Sequence, residues 1–143
     1  MKTILLVEDN PVDVMLMRRA MAKLDTVSDL RTVSDGQAAI DYLSGLGPYA
    51  DRSSYPVPYV MVLDLKLPRK NGFEVLDWLR ANSTYSHLPV VILTSSREDQ
   101  DLRKAYLAGA NSYFLKTPDA EELNRMAQII HEYWIGYNRL PGH

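Results

Sequence analysis

Two short apolar runs of this chain end in acid. Ile4-Leu5-Leu6-Val7 runs into Glu8-Asp9, and Tyr59-Val60-Met61-Val62-Leu63 runs into Asp64. Unbroken and rich in aliphatic or β-branched residues, both read as strands buried on two faces. In an open parallel sheet the carboxyl ends of the strands open onto the ligand crevice, so these carboxylates meet there if the two strands are neighbours. Like charges at that range repel, and such a cluster needs a bound cation or raised pKa values. A hard divalent ion with oxygen ligands answers this, Mg²⁺ above all where phosphate is handled. Two further strand ends carry Thr94 and Lys116. A carboxylate can attack phosphorus and hold the phosphoryl group as an acyl phosphate. Mg²⁺ on the remaining carboxylates, one ammonium and one hydroxyl donor would position and neutralise that group. The set is sufficient for phosphorylation of Asp64 itself.

Singly, each residue has a plainer account. An acid at a strand end is commonly a helix N-cap or a solvated loop charge, a lone Lys is a surface cation, and a Thr after a strand is a turn hydroxyl. Their joint placement argues otherwise, because all fall at carboxyl ends of strands and none at an amino end.

Five apolar runs alternate with helix-like segments, and these must position the site. Asn10 suits an N-cap and Pro11 the first helical position, followed by Val14, Leu16, Met17, Ala20, Met21 and Leu24 at helical spacing. A short strand follows near Leu30–Val33, and Asp35-Gly36 opens a helix carrying Ala38, Ala39, Ile40 and Leu43. Gly45 to Pro58, about 14 residues rich in Gly, Pro, Ser and Asp, reads as a loop longer than usual connections. The third strand leads through Pro68-Arg69-Lys70-Asn71-Gly72 into a helix bearing Phe73, Val75, Leu76, Trp78 and Leu79. A fourth strand over Pro89–Leu93 and a fourth helix over Glu98–Ala108, stopped by Gly109, come next. A fifth strand over Ser112–Leu115 and a long helix from Asp119 through Trp134 complete the chain. The order βαβαβαβαβα specifies an α/β fold, a parallel sheet with helices on both faces.

The 143 residues, 46% hydrophobic and 24% charged, suit one domain with a full core. A net charge of −2 gives no electrostatic case for nucleic acid or an anionic membrane. The chain has no cysteine, which excludes disulfides, thiol catalysis and thiolate metal sites. No apolar stretch nears the roughly 20 residues that span a bilayer, and Met1-Lys2-Thr3 leads straight into a strand without a signal-peptide core. A cytoplasmic protein is the expectation.

Taken in order, the motifs resemble a known family. Leu5-Leu6-Val7-Glu8-Asp9-Asn10, Met61-Val62-Leu63-Asp64-Leu65-Lys66-Leu67-Pro68, Asn71-Gly72, Leu93-Thr94-Ser95-Ser96 and the segment Ala108 to Lys116 are similar to the receiver domain of two-component response regulators. The resemblance implies a flavodoxin-like, doubly wound sheet of five parallel strands in the order 2-1-3-4-5. It implies a single receiver over residues 1–143, with a long C-terminal helix and tail over 119–143 and no output domain. Roles follow by position. Asp64 would be the phosphoacceptor, and Glu8, Asp9, Asp64 and the main-chain carbonyl of Lys66 would hold Mg²⁺. Thr94 and Lys116 would meet phosphoryl oxygens, Tyr113 would be the aromatic switch, and Ser96 with position 66 would tune the acyl phosphate lifetime. In the family a Pro directly follows the Lys with a cis peptide; here Thr117 intervenes before Pro118, and a cis bond ahead of a non-proline costs about 2.5–4 kcal/mol. The Gly45–Pro58 loop, the Leu67-Pro68-Arg69-Lys70 turn and the aromatic C-terminus resemble, more narrowly, the small response regulators paired with bacterial and cyanobacterial phytochromes. The implied partners are a sensor histidine kinase, a phytochrome among them, and a downstream phosphotransfer or target protein. The protein would be a phosphoacceptor switch and not an enzyme acting on other molecules.

Other classes fit less well. A phosphohydrolase of the haloacid dehalogenase type needs a second Asp two residues after the nucleophile, where Lys66 stands. A flavodoxin-like cofactor carrier needs a phosphate loop rich in Ser, Thr and Gly, where Glu8-Asp9 would repel phosphate without a metal. A scaffold that ignores phosphate has no use for the full constellation. At the C-terminus, Leu123, Met126, Ala127, Ile130, Trp134 and Tyr137 form a stripe suited to the sheet. Ile129 and Tyr133 lie on another face, and Leu140-Pro141 follow as an apolar tail. A second stripe points to a protein partner, although a tyrosine lying flat on the surface is the plainer reading. The expectation is a homodimer through the fourth helix, fifth strand and fifth helix, with Ile129, Tyr133, Tyr137 and Leu140 at the contact. The tail would reach across from a helix over 119–137 roughly 28 Å long.

Overall fold

A computed structural model describes residues 2–24 and 28–141. Strands β1 (Lys2–Val7), β2 (Ser28–Val33), β3 (Pro58–Leu63), β4 (Val90–Thr94) and β5 (Ser112–Leu115) alternate with helices α1 (Pro11–Ala22), α2 (Gly36–Ser44), α3 (Gly72–Ala81), α4 (Asp99–Leu107) and α5 (Ala120–Ile130). The strands form one parallel sheet in the order β2-β1-β3-β4-β5. This is the expected flavodoxin-like arrangement, and it places β1 and β3, the two strands ending in acid, side by side.

Continuous apolar strands are what a sheet covered on both faces requires. Leu5, Val7, Met61, Leu63, Val90 and Ile92 point into the layer with α2 and α3, while Ile4, Leu6, Val60, Val62, Val91 and Leu93 point into the layer with α1 and α5. All twelve are buried. Boundaries differ from the expectation by one or two residues: β2 starts at Ser28, β3 at Pro58, and β4 runs from Val90 to Thr94.

Three connections carry half-buried polar anchors. In the long loop after α2, Arg52 donates to the carbonyls of Tyr42, Leu43 and Tyr55, closing the C-terminus of α2. Tyr42, Tyr49 and Tyr55 pack ring against ring beside it, with centroids 5.2–5.9 Å apart. The loop is thus a built element, with a 3-10 turn at Gly47–Tyr49. Arg80 on α3 donates to the carbonyls of Ser86, Leu88 and Gly109, tying the turn before β4 to the turn after α4. That second turn needs Gly109, whose φ is 106°.

The C-terminus departs from the expected continuous α-helix. Winding changes after Ile130, and His131–Tyr137 form a π-helical segment. With five-residue hydrogen-bonded turns, the residue brought under Ile130 is Ile135, which is buried. Tyr137, expected on the core stripe, is 75% exposed. Lys2 secures the segment by donating to the Ile135 carbonyl at 2.9 Å. The tail turns back on its own chain, where Leu140 and Pro141 line a hollow with Val57, Tyr85, His87 and Leu88.

Candidate functional site

Because Val7 is the strand partner of Leu63, the residues that follow them emerge together at the carboxyl edge of the sheet. Carboxylate oxygens of Glu8, Asp9 and Asp64 lie within 4.8 Å of one another. Glu8 and Asp64 are buried and Asp9 is exposed, so the cluster is anchored from below and open to solvent on one side. Asn10 organises the entry to α1, its side chain accepting from the N–H groups of Val12 and Asp13 while its own N–H donates to Glu8 Oε2. After β3 the chain turns back tightly enough for the Gly72 N–H to reach the Leu65 carbonyl. A Cβ at Gly72 would stand 2.5 Å from the Asp64 carbonyl oxygen, so the turn that carries Asp64 requires glycine there. Asn71 then caps α3 in a reciprocal capping box with Glu74.

Lys116 follows β5 and crosses to this cluster. Its Nζ lies 2.6 Å from Glu8 Oε1, 2.8 Å from Asp64 Oδ2 and 2.9 Å from Asp13 Oδ2. Burial pulls the ammonium down, but its bonds to the three carboxylates hold it above its ordinary range. Burial drives Glu8 the other way, to about 7, with the Asp64 charge adding to the rise and Lys116 opposing it. No cis peptide occurs among the described residues, so the chain passes from Lys116 to Thr117 in the trans form.

Thr94 ends β4 in full burial, its Oγ1 accepting from the Ser96 N–H at 3.4 Å and its carbonyl accepting from Lys116 N–H at 2.8 Å. Ser96 is buried too, and its hydroxyl donates to Asp101 on α4 at 2.6 Å. The ring of Tyr113 is turned inward and its hydroxyl donates to the Ser96 carbonyl at 3.1 Å. Burial raises the Tyr113 phenol despite that bond. Lys66 is exposed, its N–H directed at Asp64 Oδ1 at 3.4 Å.

The structure therefore gathers Glu8, Asp9, Asp64 and Lys116 at one point and places Thr94, Ser96 and Tyr113 in one hydrogen-bonded chain on the adjoining strands. Asp13 is the residue that sequence reasoning missed. Its signal was an acid in the first turn of the helix that follows the acidic pair. The donor set, carboxylate oxygens only, suits a hard divalent cation. Ile129 and Tyr133 are exposed, together with Tyr106 and Leu107 on α4. Among the described residues, no helix is long and apolar enough to cross a membrane.

Comparison with known proteins agrees with this geometry. The family described as response regulator receiver domain matches residues 4–128. The chain is 43% identical to the protein named "Probable methanogenesis regulatory protein FilR2" from Methanothrix harundinacea, over 97% of this chain and 87% of that one. It is 34% identical to response regulator Rcp1 of Synechocystis sp., over 98% of this chain and 93% of that protein. The Mn²⁺-bound structure of Rcp1 superposes with a TM-score of 0.88, covering 99% and 100% of the two chains. The phosphorylated cyanobacterial phytochrome response regulator RcpA superposes with a TM-score of 0.90 at 35% identity, over 99% of each chain.

Proposed function

The chain belongs to the response regulator receiver family, and from that premise we propose that Asp64 accepts a phosphoryl group from a sensor histidine kinase. Receivers bind a divalent metal and partner with histidine kinases, so the reading concerns which residues of this chain serve those ends. The observation that carries it is the convergence of Glu8, Asp9 and Asp64 within 4.8 Å, with Lys116 Nζ 2.8 Å from Asp64. Glu8, Asp9, Asp64 and the Lys66 carbonyl would hold Mg²⁺, which when bound offsets the repulsion between the carboxylate and the incoming phosphoryl oxygens. A lone pair of Asp64 forms the new O–P bond while the N–P bond of the phosphohistidine breaks. That electron pair returns to the imidazole nitrogen, which takes up a proton. Lys116 and the Thr94 hydroxyl then meet phosphoryl oxygens.

The donor proposed is a phytochrome kinase, supported by the likeness to Rcp1 and RcpA over nearly the whole chain. FilR2, at 43% identity and named for methanogenesis, favours a kinase without a light sensor as the second reading. Coverage of 93% and 87% of Rcp1 and FilR2 supports one receiver unit that acts by protein contact. Exposed Ile129, Tyr133, Tyr137 and Leu107 support a homodimer on the α4-β5-α5 side; Leu140 lines a hollow on its own chain.

The test is to incubate the protein with acetyl phosphate and Mg²⁺ and weigh the intact product. One phosphoryl group is expected, lost in excess chelator and in Asp64→Asn. Labelling that persists in Asp64→Asn would refute the assignment.

A further inference from the structure

Resting on that reading of Asp64 and Lys116, we propose that Asp13 is a positioning residue: it holds the Lys116 ammonium from outside the metal cluster, so that the lysine does not compete with the cation. An ammonium has three protons, and here each has a carboxylate, at 2.6 Å in Glu8, 2.8 Å in Asp64 and 2.9 Å in Asp13. Glu8 and Asp64 belong to the set that takes the metal; Asp13 does not. Left to those two alone, the ammonium would occupy the oxygens the cation needs and repel it at close range.

Asp13 is aimed by the start of α1, where its N–H donates to the Asn10 cap oxygen. Its side chain is 33% exposed, against 3% for Glu8 and 7% for Asp64, so it can follow the ammonium outward while the buried pair cannot. The alternatives for Lys116 are poor. The crevice beside it offers Thr117 besides Glu8 and Asp13, is otherwise apolar, and has about 20 Å³, room for a single water. When a cation draws Glu8 and Asp64 to itself, Asp13 is the carboxylate that still balances the ammonium. It thereby keeps the remaining protons of Lys116 within reach of a phosphoryl oxygen.

The experiment compares the full-length wild type with Asp13→Asn and Asp13→Glu. Mg²⁺ affinity is measured by calorimetry, and the ¹⁵N resonance of Lys116 Nζ is followed in metal-free protein. Asp13→Asn is expected to weaken Mg²⁺ about tenfold, the scale seen when a partner one contact removed from a metal is lost. It should also shift the Nζ resonance, and Asp13→Glu should restore most of both. A role confined to starting α1 would lower the melting temperature and leave Mg²⁺ affinity alone. Unchanged Mg²⁺ affinity in Asp13→Asn, or in Asp13→Ser should the first variant fail to fold, overturns the proposal. Asp64→Asn, labelled with acetyl phosphate alongside, separates the two readings. Loss of labelling there with Mg²⁺ indifferent to Asp13 removes only the role of Asp13, whereas labelling retained there removes the phosphoacceptor assignment beneath it.

Discussion

Ser96 links Thr94 to Tyr113 by hydrogen bonds, its N–H on the Thr94 hydroxyl and its carbonyl under the Tyr113 hydroxyl. On the function proposed above, a phosphoryl oxygen that recruited the Thr94 hydroxyl would pull on the turn that holds the Tyr113 ring. A ligand shifts a conformational equilibrium only by interacting differently with the two states, and the Thr94 hydroxyl is the group that would supply this difference. In Thr94→Ala, phosphorylation of Asp64 is expected to proceed while the response at Tyr113 is lost. Amide shifts around Tyr113 on adding beryllofluoride read this directly, and identical shifts in mutant and wild type would refute the coupling. Asp9→Asn, at the exposed edge of the cluster, is expected to weaken Mg²⁺ and slow labelling while the fold stays intact.

At the scale of elements, the C-terminal change of winding makes a sharp contrast. Ile135→Ala empties a buried site and is expected to cost about 2–5 kcal/mol. Tyr137→Ala, at 75% exposure, should stay within about 0.5 kcal/mol. An uninterrupted α-helix would reverse the order, so urea unfolding of the pair decides the register. Arg80 supports two turns at once, and Arg80→Ala leaves the carbonyls of Leu88 and Gly109 without that donor, at about 1–3 kcal/mol for each one left buried. Alkali should find the loop after α2. Burial raises Tyr42 and Tyr85 above the ordinary 10.0 of tyrosine, and their hydroxyls donate to the carbonyls of Pro56 and Leu43. Each then ionises later folded than unfolded. The stabilisation is full below about pH 10 and is lost as pH rises through the folded values. Urea midpoints followed upward from neutral pH should fall in that window, and Tyr85→Phe should flatten the fall.

For the whole molecule, the question is association. Leu107 is 89% exposed and Tyr133 52% exposed, large apolar groups on α4 and on the π-helical segment that follows α5. Sedimentation of the wild type at micromolar concentration is expected to show a dimer, and Leu107→Glu or Tyr133→Glu a monomer. A wild type that sediments as a monomer, phosphorylated or not, would remove the interface. Truncation after Glu132 is a poor substitute, because it takes Ile135 out of the core along with the exposed tyrosines.

The parallel α/β order was legible from sequence because strand and helix periodicities report which face of an element is buried, and the short unbroken runs of β1 and β3 read as strands covered twice. Glu8, Asp9, Asp64, Thr94 and Lys116 were legible for a related reason: type and strand-end position are local facts, and a parallel sheet brings all its carboxyl ends to one edge. What only the tertiary structure decided are contacts between elements and departures from regular winding. Lys116 reaches Asp13 across 103 residues of sequence, which no spacing within α1 announces. Arg52 and Arg80 are spent on backbone carbonyls, groups every residue has and no motif marks. Ile135 replaced Tyr137 in the core because the helix changed from four-residue to five-residue hydrogen-bonded turns. Periodicity is read by assuming one winding, and the packing of Lys2 and β3 against the chain's end selected another.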